Sequence, residues 1–113
     1  MAAARATPAN GFPPPPIAAF GVTDPDQIAW LERRLRPQPI GTYVEPPRLT
    51  KAVGAGIDTV YVSCEGPAMG AIDPFRARAK ARTDWRFQSL ASSHACMISD
   101  PKLTAETLVR LAE

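Results

Sequence analysis

The sequence has 113 residues, 45% of them hydrophobic and 21% charged, which fits one small globular domain and excludes wholesale disorder. The net charge of +2 comes from dispersed basic residues, short of the continuous basic stripe that nucleic-acid binding requires. Two cysteines, Cys64 and Cys96, with a single histidine, His94, make neither a disulfide framework nor a metal-ligand cluster.

Residues 1–16 are rich in Ala and Pro and close on Pro13-Pro14-Pro15-Pro16. Four successive prolines dictate an extended polyproline II run, read as a connector behind an untethered tail. The first residues lack the continuous apolar stretch of a secretory signal, and no later segment is long enough to span a bilayer. Because the two cysteines suggest no secreted disulfide framework, a reduced, cytoplasmic protein is expected.

Residues 17–54 form the next unit. Thr23-Asp24-Pro25-Asp26 reads as a helix start: Thr23 or Asp24 caps, Pro25 suits the first turn, and Asp26 complements the dipole. Ile28, Leu31 and Leu35 recur at helical spacing, with Trp30 on the flank, and Pro37 and Pro39 stop the helix. Residues 40–50 read as an extended loop.

Residues 55–113 have a different rhythm. Thr59 to Cys64 is a β-branched and aromatic run between Gly56 and Gly66-Pro67, which predicts a buried strand. Asp73-Pro74 opens a helix to about Arg82, with Asp73 as the cap and Arg76 and Lys80 on a solvated face. Trp85 to Leu90 alternates apolar and polar, a second strand. Ala91 to Met97 reads as a loop. Pro101 to Ala112 reads as a helix with Leu103, Leu108 and Leu111 on one stripe and Thr104 and Glu106 outside. A helix between two strands implies a crossover and a parallel pair.

In open α/β sheets, functional groups collect beyond the carboxyl ends of the strands. His94 follows the second strand there, in a turn of small residues, and imidazole titrates near neutrality, as a general base must. The alternative is an ordinary surface-loop histidine. Cys64 and Cys96 read as small packing residues rather than nucleophiles.

The order of these features resembles the C-terminal part of the α/β-hydrolases. It comprises the strand to Cys64, a helix, the strand to Leu90, then His94, Met97 three residues on, and Asp100-Pro101 opening a terminal helix. Upstream, Pro13 to Asp24, Trp30 to Leu35 and Pro39 to Tyr43 look like the cap segment of bacterial hydrolases similar to the hydroxynitrile lyase and salicylate esterase group. The resemblance runs from about Pro13 onward. It implies an α/β fold class: a partial α/β-hydrolase fold, with the last two parallel strands, flanking helices and part of a cap.

The resemblance also implies a mechanism. A serine on a Gly-x-Ser-x-Gly turn attacks an ester, a histidine takes its proton, and an acid orients the histidine. His94 matches the general base. Glu65 lies closest to the acid's place, an ordinary surface carboxylate being the alternative. Trp30, Tyr43 and Met69 are the residues that would line an acyl pocket. The sequence holds no Gly-x-Ser-x-Gly, so no nucleophile is assigned, and no cofactor or metal is implied. The chain is therefore expected to be inactive alone, as a truncated or mis-started reading frame, and marginally stable or aggregation-prone. The implied partners are a small ester-like substrate and a complementary N-terminal half, with no nucleic acid and no membrane. The other reading is a non-catalytic interaction module that completes a partner's sheet or docks through Pro13 to Pro16.

Overall fold

The computed structural model describes residues 11–113. The first ten residues of the expected tail lie outside the described residues, whereas the proline run lies inside. It is free of helix and strand, and Pro16 has φ −52° and ψ 137°, the polyproline II geometry that the ring constraint favours. The run is tied back to the chain. Phe12 and Gln38 exchange backbone hydrogen bonds of 2.9 and 2.8 Å, and the Phe12 ring meets Tyr43 edge-on at 4.6 Å.

A 3-10 turn at Ile17–Phe20 ends on Gly21 in the left-handed region, φ 75°. Helix α1 (Pro25–Arg34) then starts as its sequence dictates: the Asp24 carboxylate accepts from the backbone N–H groups of Asp26 and Gln27 at 2.9 and 3.0 Å, satisfying donors that have no intrahelical partner. The helix stops before Leu35, which is already extended at ψ 139°. The segment expected to be an extended loop contains a short helix, α2 (Gly41–Val44). Local bonds explain the difference: the Thr42 hydroxyl donates to the Pro39 carbonyl at 2.7 Å and accepts from Gln38 Nε2 at 2.9 Å.

Strand β1 (Val60–Cys64) and strand β2 (Arg86–Leu90) pair in parallel, with Val60 opposite Arg86 and Cys64 opposite Leu90. Helix α3 (Asp73–Ala81) connects them. Asp73 is not its cap: Ile72 holds the cap position without a side-chain bond, and the Asp73 carboxylate is taken by Arg76 one turn on. β1 is half-buried rather than buried; of its five residues only Ser63 is fully enclosed. Among the described residues the sheet has two strands, so nothing pairs with the outer edge of β1, and such a unit buries little by itself.

After β2 the expected loop gives way to a short helix, α4 (Cys96–Ser99), and then α5 (Pro101–Ala112). The bounds of α5 are those its sequence predicts, but its face is not. Thr107 is the buried residue at 2% exposure, Leu103 and Leu108 are 38% and 56% exposed, and Thr104 lines an inner cavity with Thr107 and Leu108.

The core is small and joins the two halves of the chain. Val22, Leu31 and Ala95 are buried together, with Ile17, Phe20, Ile28, Leu35 and Ile98 packed around them. The Cα radius of gyration is 16.3 Å, against about 13 Å for a compact domain of this length. No helix among the described residues is long and apolar enough to cross a membrane.

Candidate functional site

His94 stands four residues beyond the end of β2, at the carboxyl edge of the parallel pair. Three sets of contacts fix its loop. The backbone of the segment after β1 runs alongside it: Glu65 N–H donates to the Leu90 carbonyl and Gly66 N–H to the Ser92 carbonyl, each at 2.9 Å. Close approach is possible because residue 66 is glycine; a Cβ there would lie 3.1 Å from the Ala91 and Ser92 backbone.

A buried hydroxyl network forms the second set. Ser92 and Ser93 are 1% and 2% exposed. Ser92 Oγ donates to the Asp100 carboxylate, and Ser93 Oγ lies 2.7 Å from Ser99 Oγ. Buried hydroxyls left unpaired would be costly, so this network holds the turn that precedes the histidine. Asp100, expected only to start the last helix, also anchors the loop.

The third set is apolar. Ala95 is part of the Val22–Leu31 core, and the Phe20 ring lies over the imidazole with centroids 6.1 Å apart and planes 15° from parallel. The ring also borders a cavity of about 460 Å³ between the sheet and α5, with Cys64, Cys96, Leu90, Thr104 and Leu108 among its walls. No hydrogen bond to the imidazole occurs among the described residues.

Glu65 sits beside the histidine loop through its backbone, but its exposed carboxylate accepts from Ser63 Oγ at 2.9 Å. Ser63 in turn accepts from Arg76 Nε at 2.8 Å, so Glu65, Ser63, Arg76 and Asp73 form one chain of charge-assisted bonds. The acyl-pocket residues are dispersed. Trp30 is 39% exposed beneath the Arg34 guanidinium, 4.1 Å from the ring centroid. Tyr43 is 53% exposed against Phe12, and Met69 is half-buried just before a 3-10 turn. None of the three lines the cavity at His94.

The serines that follow β2 are engaged with other partners: Ser92, Ser93 and Ser99 bond to one another and to Asp100. Sequence reasoning missed this network, although the Ser-Ser pair before His94 and the Ser99-Asp100 pair after it are its visible trace. Among the described residues no group of three or more metal-ligating side chains converges.

Comparison with protein families, with curated proteins and with solved structures yields no match to this chain. Fold and site together define a small α/β protein, two parallel strands with flanking helices, that presents one histidine at the carboxyl edge of its sheet.

Proposed function

We propose that this chain is the histidine-bearing C-terminal part of an α/β-hydrolase-like sheet, and that it serves ester hydrolysis only when further strands join the outer edge of β1. The observation that carries this reading is the position of His94, just past the carboxyl end of β2 in a parallel pair and held by a fully bonded turn. That is where open α/β sheets gather reacting groups.

In the assembled site His94 accepts the proton of a serine hydroxyl as that oxygen attacks the ester carbonyl, then returns it to the leaving alcohol. The hydroxyl and the amide donors for the oxyanion come from the added strands. Glu65 is the acid nearest the loop; orienting the ring would require its carboxylate to leave Ser63.

The composition of β1 supports sheet completion. Val60, Tyr61, Val62, Ser63 and Cys64 include no charge, the pattern of an interior strand rather than a protected edge. β2, by contrast, opens with a charged residue, Arg86, bonded to Asp58 at 2.8 Å and to the Leu111 carbonyl at 3.1 Å.

The test has two arms. A chromogenic ester is offered to the isolated chain and to the complex purified with whatever polypeptide it retains. The reading expects the isolated chain to match its His94→Ala variant, and the complex to turn the ester over and to lose this activity in that variant. Histidine-dependent turnover by the isolated chain would refute it. A complex whose activity ignores His94→Ala would favour the second reading, a non-catalytic module that completes a partner's sheet through β1.

A further inference from the structure

Cys64 ends β1 and Cys96 begins α4, yet both line the same cavity beside the sheet. Both are free thiols. Cys96 is buried at 9% exposure and Cys64 is half-buried. No other cysteine exists in the chain, so any disulfide within it must join these two.

We propose that Cys64 and Cys96 form a redox pair that closes to a disulfide by exchange with a small-molecule disulfide such as oxidised glutathione. Cys64, the more exposed, reacts first. Its thiolate attacks one sulfur of the oxidant, giving a mixed disulfide and releasing one glutathione thiolate. The Cys96 thiolate then attacks the Cys64 sulfur, forming the Cys64–Cys96 bond and releasing the second glutathione. Two protein thiols are oxidised, one external disulfide is reduced, and the two protons end on the two glutathiones.

Two further observations agree with the pairing. Burial pushes the Cys64 thiol up to about 11, with the neighbouring Cys96 sulfur adding to the rise and Arg76 opposing it, so the two sulfurs sense each other. A raised thiol makes the first step slow at neutral pH and faster as pH rises. His94 is two residues before Cys96; closure therefore fastens the end of β1 to the segment that carries the imidazole. The proposal is independent of any catalytic role for that ring.

The experiment incubates the native full chain with oxidised glutathione, then alkylates remaining thiols and reads intact mass and peptide linkage. The expected product lacks two hydrogens, resists alkylation and yields a Cys64–Cys96 linked peptide. Cys96→Ser should stop at the glutathione adduct on Cys64, because no resolving thiol remains. A stable glutathione adduct on the unsubstituted chain, linkage only between two chains, or closure only after denaturant is added would each overturn the proposal.

Discussion

The Phe20 ring lies almost parallel to that of His94, 6.1 Å away, so an aromatic from the N-terminal half sets one wall of the histidine's surroundings. Phe20 also packs on the Val22–Leu31–Ala95 core. Phe20→Ala should cost about 1–3 kcal/mol, below the range for a fully buried ring because Phe20 is only half-buried. The His94 ring resonances should also shift, as an aromatic current is removed. A urea titration and a two-dimensional NMR spectrum of the variant read the two effects.

Leu31 and Leu108 make a paired prediction of opposite outcome. Leu31 is 7% exposed in the core, whereas Leu108 is 56% exposed on α5. Leu31→Ala should remove about 2–4 kcal/mol, a large fraction of what a small domain possesses, and far-ultraviolet dichroism should show a lowered unfolding midpoint. Leu108→Ala should leave the midpoint of the isolated chain nearly unmoved. If a partner covers the cavity between α5 and the sheet, the same change should weaken that association.

Ser63 joins Arg76 and Glu65 and is 1% exposed. Ser63→Ala leaves Arg76 Nε without its acceptor, and Arg76 Nη2 is already buried without a partner. The expected cost is about 1–3 kcal/mol, read from the denaturant midpoint. Glu65→Gln keeps a hydrogen-bond acceptor on an exposed side chain and should change stability little. Should Glu65 orient the imidazole in an assembled enzyme, that variant would instead lower activity at unchanged stability.

Gly21 occupies φ 75°, and a Cβ there would lie 2.7 Å from the Pro67 ring and 3.3 Å from Ser93 Cβ. Both the backbone and the space oppose a side chain. Gly21→Ala should therefore destabilise by about 1–3 kcal/mol. Hydrogen exchange should show faster opening at Ser92 and Ser93, whose turn the glycine abuts.

The Cys64 thiol gives a pH dependence with a defined sign. The fold favours the neutral thiol, whose value rises from 9.0 to about 11. Between those values the folded chain binds more of a proton than the unfolded chain, so stability falls as pH rises through the window. Below it the group has no effect. Comparing unfolding midpoints of the unsubstituted chain and Cys64→Ser from pH 8 to 11 isolates the slope, which the variant should lack.

Much of the architecture is legible in the sequence where a local rule decides. Asp24 and Pro25 announce α1, Asp100 and Pro101 announce α5, and the β-branched run before Gly66 announces β1. The position of His94 after β2 follows from the same reading. The rest depends on contacts between distant segments. Nothing near Phe20 points to His94, because the core that unites them forms only when α1 packs on the loop. Burial of Thr107 in place of the leucine stripe follows from how α5 sits against a sheet of two strands. Asp73 reads as a cap by composition, but Arg76 captures its carboxylate once Ser63 draws the guanidinium inward.

Arg86 ties the chain's last helix to its sheet. Because it is clamped between Asp58 and the Leu111 carbonyl, the start of β2 is fastened both to the approach to β1 and to the end of α5. Loss of the last helical turn would therefore take away one of the two anchors of that guanidinium, at the end of the sheet where both strands begin.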